Sequence, residues 1–555
     1  MENQLKKMTE TVREQYNRVL PPVTNQIGRR EEMVASSDGV KLRTIIFSPE
    51  QAEQPLPVIV IRSCYYASSD FLEVQATEMA KRGFAAVIQW CRGIGGSEGE
   101  WQPYVYERQD GMALMEWLQE EAWVKNIGLV GASYLALTGW YIADRIPEKV
   151  KTMYLTVMGT ENHISLWQEG SFRQDIYTSW SMENTGKKID AEYMESASYR
   201  PQIQVDEDLW GCHLDWYRDE ISKPSRIDPF RKDSFWGWLT DVPSKMKIPV
   251  FVGEGWYDIH LGNALKTFEN LSEESKKHSV LQVMPGNHSL TPVIFGQEKQ
   301  ENASICEFEQ QLRWFYNILV KEELPEFSVN YYIIGEDKWK KYSQFPIEPS
   351  LYKEFYLGEK VLTDEPSDNS CREYEYDPEN PVPSWGGATL FKLNDRTGSR
   401  QQPDPDWRKD VLSYLSDPLK EDLEITGSIQ VNLWVESSAP DTCFAVKLME
   451  VFENGEAYNI RNGITTLGFR NGADTWQEYK GGPVEIRIQT WDIAWKVKKG
   501  SRLRLDISSS NFPEYSVHPN TTRTWSLEDT PQKAHQKILS GMKYPSKIIL
   551  PLNEQ

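Results

Sequence analysis

The hydrophobic period of this chain changes along its length, and that change constrains the fold more than any other feature. Up to about residue 145, continuous apolar runs alternate with helix-like segments. "PLPVIVIRSCYY" holds an unbroken run from Val58 to Ile61, "FLEVQATEMAKRG" reads as a helix stopped by Gly83, "FAAVIQW" is a second run, and "RQDGMALMEWLQEEAW" is a helix leading into "IGLVG". Strands that are apolar on both faces and separated by helices predict a parallel sheet covered on both sides. From about residue 410 the period becomes two: Ile429, Val431, Leu433 and Val435 alternate with polar residues, as do Val484, Ile486 and Ile488, and then Leu503, Leu505 and Ile507. Such strands, bounded by Gly, Asn, Asp and Pro turns, predict an antiparallel sandwich.

Between these regimes, residues 146–245 are polar and studded with aromatics, with few strand-like runs, which predicts an inserted helical subdomain. Sheet patterning resumes in "IPVFVGEGWYD" and "HSVLQVMPGNHS". The expected layout is therefore a discontinuous first domain in parts 1–145 and 246–350, an insertion at 146–245, and an all-β domain at 351–555.

Composition removes several classes of function. A formal charge of −21 is the reverse of what neutralising phosphates requires, so nucleic acid is not expected as a partner. The polar start "MENQLKKMTETVREQYNRVL" lacks the apolar run of a signal peptide, and no stretch approaches membrane-spanning length, so a cytosolic chain with no membrane partner is expected. The six cysteines show neither CxxC nor CxxH spacing, which predicts reduced structural thiols and no metal site. "GIGGSEG" misses the dinucleotide spacing, with Glu98 at the third position, and has no phosphate-binding lysine, so it reads as a turn and no cofactor is expected. Oligomeric state is not fixed by the sequence, and a homodimer is one option.

The segment "NIGLVGASYLALTGWYIAD" passes from a buried strand through Gly131-Ala132-Ser133 into a helix. A serine on such a corner matches the nucleophile elbow, in which the turn projects a hydroxyl beyond the carboxyl edge of the sheet. The bland reading is that Ser133 caps the helix. A serine nucleophile needs a base, and the base an orienting acid. His288 follows one strand and Asp258 another, at the same sheet edge as Ser133 and in the order Ser, acid, His. His260 also follows a strand and remains a rival base, whereas His278 begins a strand at the opposite edge.

These residues resemble a family. "CRGIGGSEGEW", "GASYLA", "GWYD", "GNHS", "DPLKEDLEITG" and "SSSNFPEY" are similar, in order from about residue 35 to the end, to the cocaine esterase and X-Pro dipeptidyl-peptidase-like serine hydrolases, the CocE/NonD group. The resemblance implies an α/β hydrolase with an inserted helical cap and a C-terminal jelly roll. It implies Ser133 as nucleophile, Asp258 as acid, His288 as base, and the Tyr134 amide with the Tyr65 hydroxyl as oxyanion donors; Tyr66, next to Tyr65, is the position most easily confused with it. The sequence departs from the family pattern at Trp90, where an Asp is usual, at Ala136, in place of the last elbow glycine, and in the "GNH" approach to the histidine.

The function expected is cleavage of a small-molecule ester or amide through an acyl-enzyme. Acyl transfer with the same residues, an X-Pro-type dipeptidyl peptidase and a non-catalytic binding protein are the alternatives. The insertion carries 17 acidic and 12 basic side chains, net −5, near its proportional share of the chain's charge, so it gives no sign of a dedicated ammonium site. It does carry Trp167, Phe172, Tyr177, Trp180, Trp210, Trp216, Tyr217, Phe235, Trp236 and Trp238. Some of these are expected to face the nucleophile, favouring bulky or aromatic acyl groups.

Overall fold

The computed structural model describes residues 2–51, 55–296, 300–390 and 395–553. Ten strands form the first sheet: β1 (Ile27–Ala35), β2 (Lys41–Pro49), β3 (Leu56–Ser63), β4 (Ala85–Trp90), β5 (Val124–Ala132), β6 (Val150–Thr156), β7 (Val250–Gly255), β8 (Val280–Met284), β9 (Ser328–Ile333) and β10 (Lys338–Tyr342). Their spatial order is β1-β2-β4-β3-β5-β6-β7-β8-β9-β10. From β4 to β9 every pairing is parallel, and antiparallel pairs close both ends.

The continuous apolar runs are explained by burial on both faces. Val58 and Val60 enter one core with the helices Glu107–Glu120, Tyr134–Trp140 and Leu261–Glu269. Ile59 and Ile61 enter the other with Glu2–Val19, Ser69–Ala80 and Glu307–Phe315. Two parts of the sheet differ from the sequence reading. Residues 146–156 do not belong to the insertion, because Val150–Thr156 is a central parallel strand; its "VKTMYLT" carries a lysine and threonines that hide the apolar pattern. The polar "IGRREEMVA" of β1 is an antiparallel edge strand whose central residues are exposed.

Between β6 and β7 lie eight short α-helices from Asn162 to Lys245, one 3₁₀ turn at Gln202–Gln204, and a two-stranded hairpin, Trp167–Gln168 with Ser171–Phe172. From Leu351 to Leu552 the chain is rich in strands, paired antiparallel except where Val361–Thr363 meets Leu412–Ser416. Ile429, Val431, Leu433, Ile486, Ile488, Leu503, Leu505 and Ile507 are at most 1% exposed, as the alternation requires.

This strand-rich region is joined to the first sheet by backbone bonds. Ile334 N–H donates to Ala494 O at 3.0 Å, and Lys496 N–H donates to Ile334 O at 2.7 Å. The buried Arg461 donates to the Trp256 carbonyl at 2.5 Å and to the Asp492 carbonyl. Burial lowers the Arg461 pKa to about 10, which leaves it charged at neutral pH. All six cysteines are free, and among the described residues no helix is long and apolar enough to cross a membrane.

Candidate active site

Ser133 follows β5 directly with φ 56° and ψ −127°, a conformation that costs a side-chain-bearing residue about 1–3 kcal/mol and persists only where its surroundings hold it. Its N–H donates to Thr156 O at 3.0 Å, fastening the corner to β6. Gly131 is required there, since a Cβ would lie 2.3 Å from the Leu135 carbonyl carbon. The close approach of helix to strand falls on Gly131, and Ala136 packs with no exposure. Ser133 occupies the N-cap position of Tyr134–Trp140, yet its side chain makes no capping bond, so its half-buried hydroxyl is not consumed by the helix.

Asp258 and His288 follow β7 and β8, two neighbouring strands. The turn carrying Asp258 is pinned to the chain approaching His288: Trp256 N–H donates to Met284 O at 2.7 Å and Tyr257 N–H to Gly286 O at 2.9 Å. Asp258 is fully buried. Its Oδ2 lies 2.6 Å from His288 Nδ1, and its Oδ1 accepts the His260 N–H at 2.6 Å. The first contact assigns the proton to Nδ1 and leaves His288 Nε2 as the basic nitrogen. Burial alone would raise the Asp258 pKa, but the His288 ring beside it and the hydrogen bond to it hold the carboxyl below its ordinary value.

A second carboxyl, which the sequence reading missed, stands next to this pair. Glu254 in β7 is 1% exposed, and burial followed by the neighbouring Asp258 charge pushes its pKa well above the usual carboxylate range. Two carboxyls so close cannot both ionise. The negative charge stays on the one that meets His288.

His260 is differently placed. Its Nδ1 lies 2.7 Å from Ser165 Oγ in the insertion, and burial pushes its pKa down to about 3. It is a neutral imidazole, with its ring centroid 5.6 Å from that of His288.

Tyr65 and Tyr66 separate cleanly. The Tyr66 ring packs on Trp90, 5.0 Å between centroids, and is 50% exposed. The Tyr65 hydroxyl accepts the indole N–H of Trp180 at 3.1 Å, and its ring meets that of Tyr134 edge-on at 6.3 Å. The Tyr134 side chain is buried, donating to Glu107 Oε1 at 3.1 Å and accepting from Tyr104 N–H at 2.8 Å. Its own N–H begins a helix, where the amide has no intrahelical partner.

Trp180 stacks with Tyr104, Tyr134 and Tyr177 and meets Trp216 edge-on at 5.5 Å. Other aromatics of the insertion pack elsewhere: Trp167 on Phe172, Trp210 on Tyr217, Trp238 on Tyr141. "GIGGSEG" is a turn, with Gly93, Gly95 and Gly96 at positive φ. Among the described residues no cluster of His, Cys, Asp or Glu is arranged to hold a metal.

A serine on a strained strand-to-helix corner, with a carboxylate-paired histidine two and three strands along, defines the class, a serine hydrolase. Residues 38–290 match the model for the X-Pro dipeptidyl-peptidase (S15 family), and residues 324–549 match that for the X-Pro dipeptidyl-peptidase C-terminal non-catalytic domain. The chain belongs to the cocaine esterase and X-Pro dipeptidyl-peptidase-like hydrolases, the CocE/NonD family. It is 28% identical over 568 aligned positions to the cocaine esterase of Rhodococcus sp. (strain MB1 Bresler), covering 94% of this chain and 97% of that protein. Two solved structures share the fold at a TM-score of 0.79. One is an aminopeptidase from a marine sediment archaeon (Thaumarchaeota archaeon), 20% identical and covering 95% of this chain and 97% of its own. The other is an α-amino acid ester hydrolase, 21% identical and covering 96% and 97%.

Proposed function

We propose that the protein cleaves esters or amides of small, bulky or aromatic acids through an acyl-enzyme on Ser133. His288 Nε2 takes the Ser133 proton as Oγ attacks the acyl carbonyl, and Asp258 holds the imidazole and stabilises its charged form. The oxyanion is received by the Tyr134 N–H and the Tyr65 O–H. The tetrahedral adduct collapses, His288 returns the proton to the leaving group, and water repeats the sequence to free the acid. The observation that carries this reading is the 2.6 Å contact of Asp258 Oδ2 with His288 Nδ1, at the same edge of the parallel sheet as a strained serine whose hydroxyl makes no cap bond.

In the same reading the helices from Asn162 to Lys245 are a cap and the strand-rich region a jelly roll. The substrate is a small molecule met in the cytosol, without nucleic acid or membrane. Aromatic acyl groups are favoured by the rings gathered about Trp180, which touches the Tyr65 hydroxyl. Ester cleavage is supported by the name of the Rhodococcus relative.

The test is intact mass spectrometry after mixing with activated benzoyl and acetyl esters, aminoacyl amides and X-Pro anilides. The expected result is an acyl adduct on Ser133, heaviest with the benzoyl ester. An adduct on another serine, or a tenfold preference for X-Pro anilides in steady-state turnover, would overturn the reading.

A further inference from the structure

A cavity of about 640 Å³ opens in the strand-rich region, separate from the residues assigned to the hydrolytic reaction. Its volume lies within the span of small-molecule sites, roughly 300–1,000 Å³. Val411, Ala445 and Val446 line it, together with Trp385 and Trp407, which are 42% and 40% exposed. Trp385 donates its indole N–H to Gln401 O at 2.8 Å and the Arg408 guanidinium lies 5.8 Å from the Trp407 ring centroid, yet at this exposure both indoles keep flat stacking surface open beside a concave apolar wall.

One charge in the cavity has no contact ion pair among the described residues; the buried Glu514 and Asp506 carboxylates act on it only from beyond salt-bridge distance. Lys447 Nζ donates to Trp385 O at 2.9 Å and to Gln402 Oε1 at 3.2 Å, both neutral acceptors. Among the described residues it has no carboxylate within 4 Å, and an ammonium has a third hydrogen to give. Asp506 sits opposite Lys447 in the strand register and lines the same cavity. Its carboxylate is already committed: Arg504 donates to both oxygens, at 2.8 and 2.7 Å, and Ser413 donates to Oδ1 at 2.6 Å. Arg396 adds a second cation to the lining. The cavity is thus apolar, aromatic at two points and positive at its polar end. Burial also pulls the Lys447 pKa down, the direction that an arriving anion would reverse.

We propose that this cavity binds a monocarboxylate bearing a flat aromatic group, with the carboxylate on Lys447 and the ring against Trp385 and Trp407. A sugar would use the indoles but not the lysine charge. A phosphate would use the charge but not the apolar wall.

The test is calorimetric titration of the intact protein with 2-naphthoate and with the neutral 2-naphthamide. Naphthoate binds the wild type, and naphthamide binds at least tenfold more weakly. In Lys447→Met, which keeps the aliphatic stem, naphthoate affinity falls by about tenfold or more, the size expected for a lost charge-assisted hydrogen bond. Trp407→Ala, at a half-exposed position, weakens both ligands, and both variants keep wild-type ester hydrolysis and melting temperature. No naphthoate binding by the wild type, equal affinity in Lys447→Met, or equal affinity for naphthamide would overturn the proposal. Equal affinity in the variant would mean that the acid binds elsewhere, including at the hydrolytic site.

Discussion

Trp180 donates its indole N–H to the Tyr65 hydroxyl at 3.1 Å, so a side chain of the insertion polarises a residue in the loop that follows β3. With its oxygen occupied as an acceptor from one side, the Tyr65 O–H is directed to another partner. Tyr65→Phe is expected to lower kcat by about 10²–10³ with little change in KM, the loss typical of one oxyanion donor. Trp180→Phe should cost about 3–10-fold, the worth of one neutral hydrogen bond. Tyr66→Phe should leave kcat near wild type; steady-state kinetics on a chromogenic ester compares the three.

Ser133→Ala is expected to abolish both turnover and labelling by a fluorophosphonate, while leaving the melting temperature near that of the wild type. Alanine accepts φ 56° no better than serine, so stabilisation is expected only in Ser133→Gly, where the strained backbone becomes permissible. Differential scanning fluorimetry on the two variants separates loss of chemistry from loss of fold.

His288→Ala and Asp258→Asn should each lose on the order of 10⁴ in kcat, because one removes the base and the other frees it from its orientation. His260→Gln should keep kcat within about tenfold of wild type, since its Nδ1 engages Ser165 and its effect on the base is indirect. Single-turnover acylation rates test this ranking; the reverse order would transfer the base to His260.

Glu254 predicts a pH dependence of stability. Its folded pKa lies well above the ordinary 4.5, so above pH 4.5 the unfolded chain releases a proton that the folded chain retains. The folded state then binds more protons, and stability falls as pH rises from that point towards the folded pKa. Glu254→Gln removes this contribution and keeps the shape. The melting temperature of the variant should gain on the wild type between pH 5 and pH 8, as measured in a buffer series at constant ionic strength.

A fragment ending near residue 350 is expected to be insoluble. It would lose the Ala494 and Lys496 backbone partners of Ile334 and the Arg461 bond to Trp256, and would expose the apolar face of β9. Expression and centrifugation decide; a soluble fragment with full esterase activity would contradict this.

The corner at Ser133 was legible in the sequence because such a turn is a local event: a strand, a tight glycine and a helix written in consecutive residues. The pairing of Asp258 with His288 was legible because each follows an apolar run, and strand ends in a parallel sheet share an edge. The contact of Trp180 with Tyr65 was not, since it joins residues 115 positions apart through a packing choice made by the whole insertion. Ten aromatics were candidates to face the nucleophile, and nothing in their spacing distinguishes Trp180 from Trp210, which packs on Tyr217 instead. Glu254 was hidden inside an apolar strand; an acid four residues before the orienting Asp was the available signal. Strand β6 escaped because a buried threonine such as Thr152, which donates to Pro249 O at 3.0 Å, reads as polar until its partner is known.

The bond from Arg461 to the Trp256 carbonyl also bears on how the molecule comes into being. A ribosome releases Ser133, Asp258 and His288 well before Arg461, so a nascent chain holds all three residues of the proposed reaction while the turn that carries Asp258 still lacks its clamp. Competence for catalysis should therefore arrive late in translation, as a property of the finished chain, and half-made copies would carry the chemistry without being able to use it.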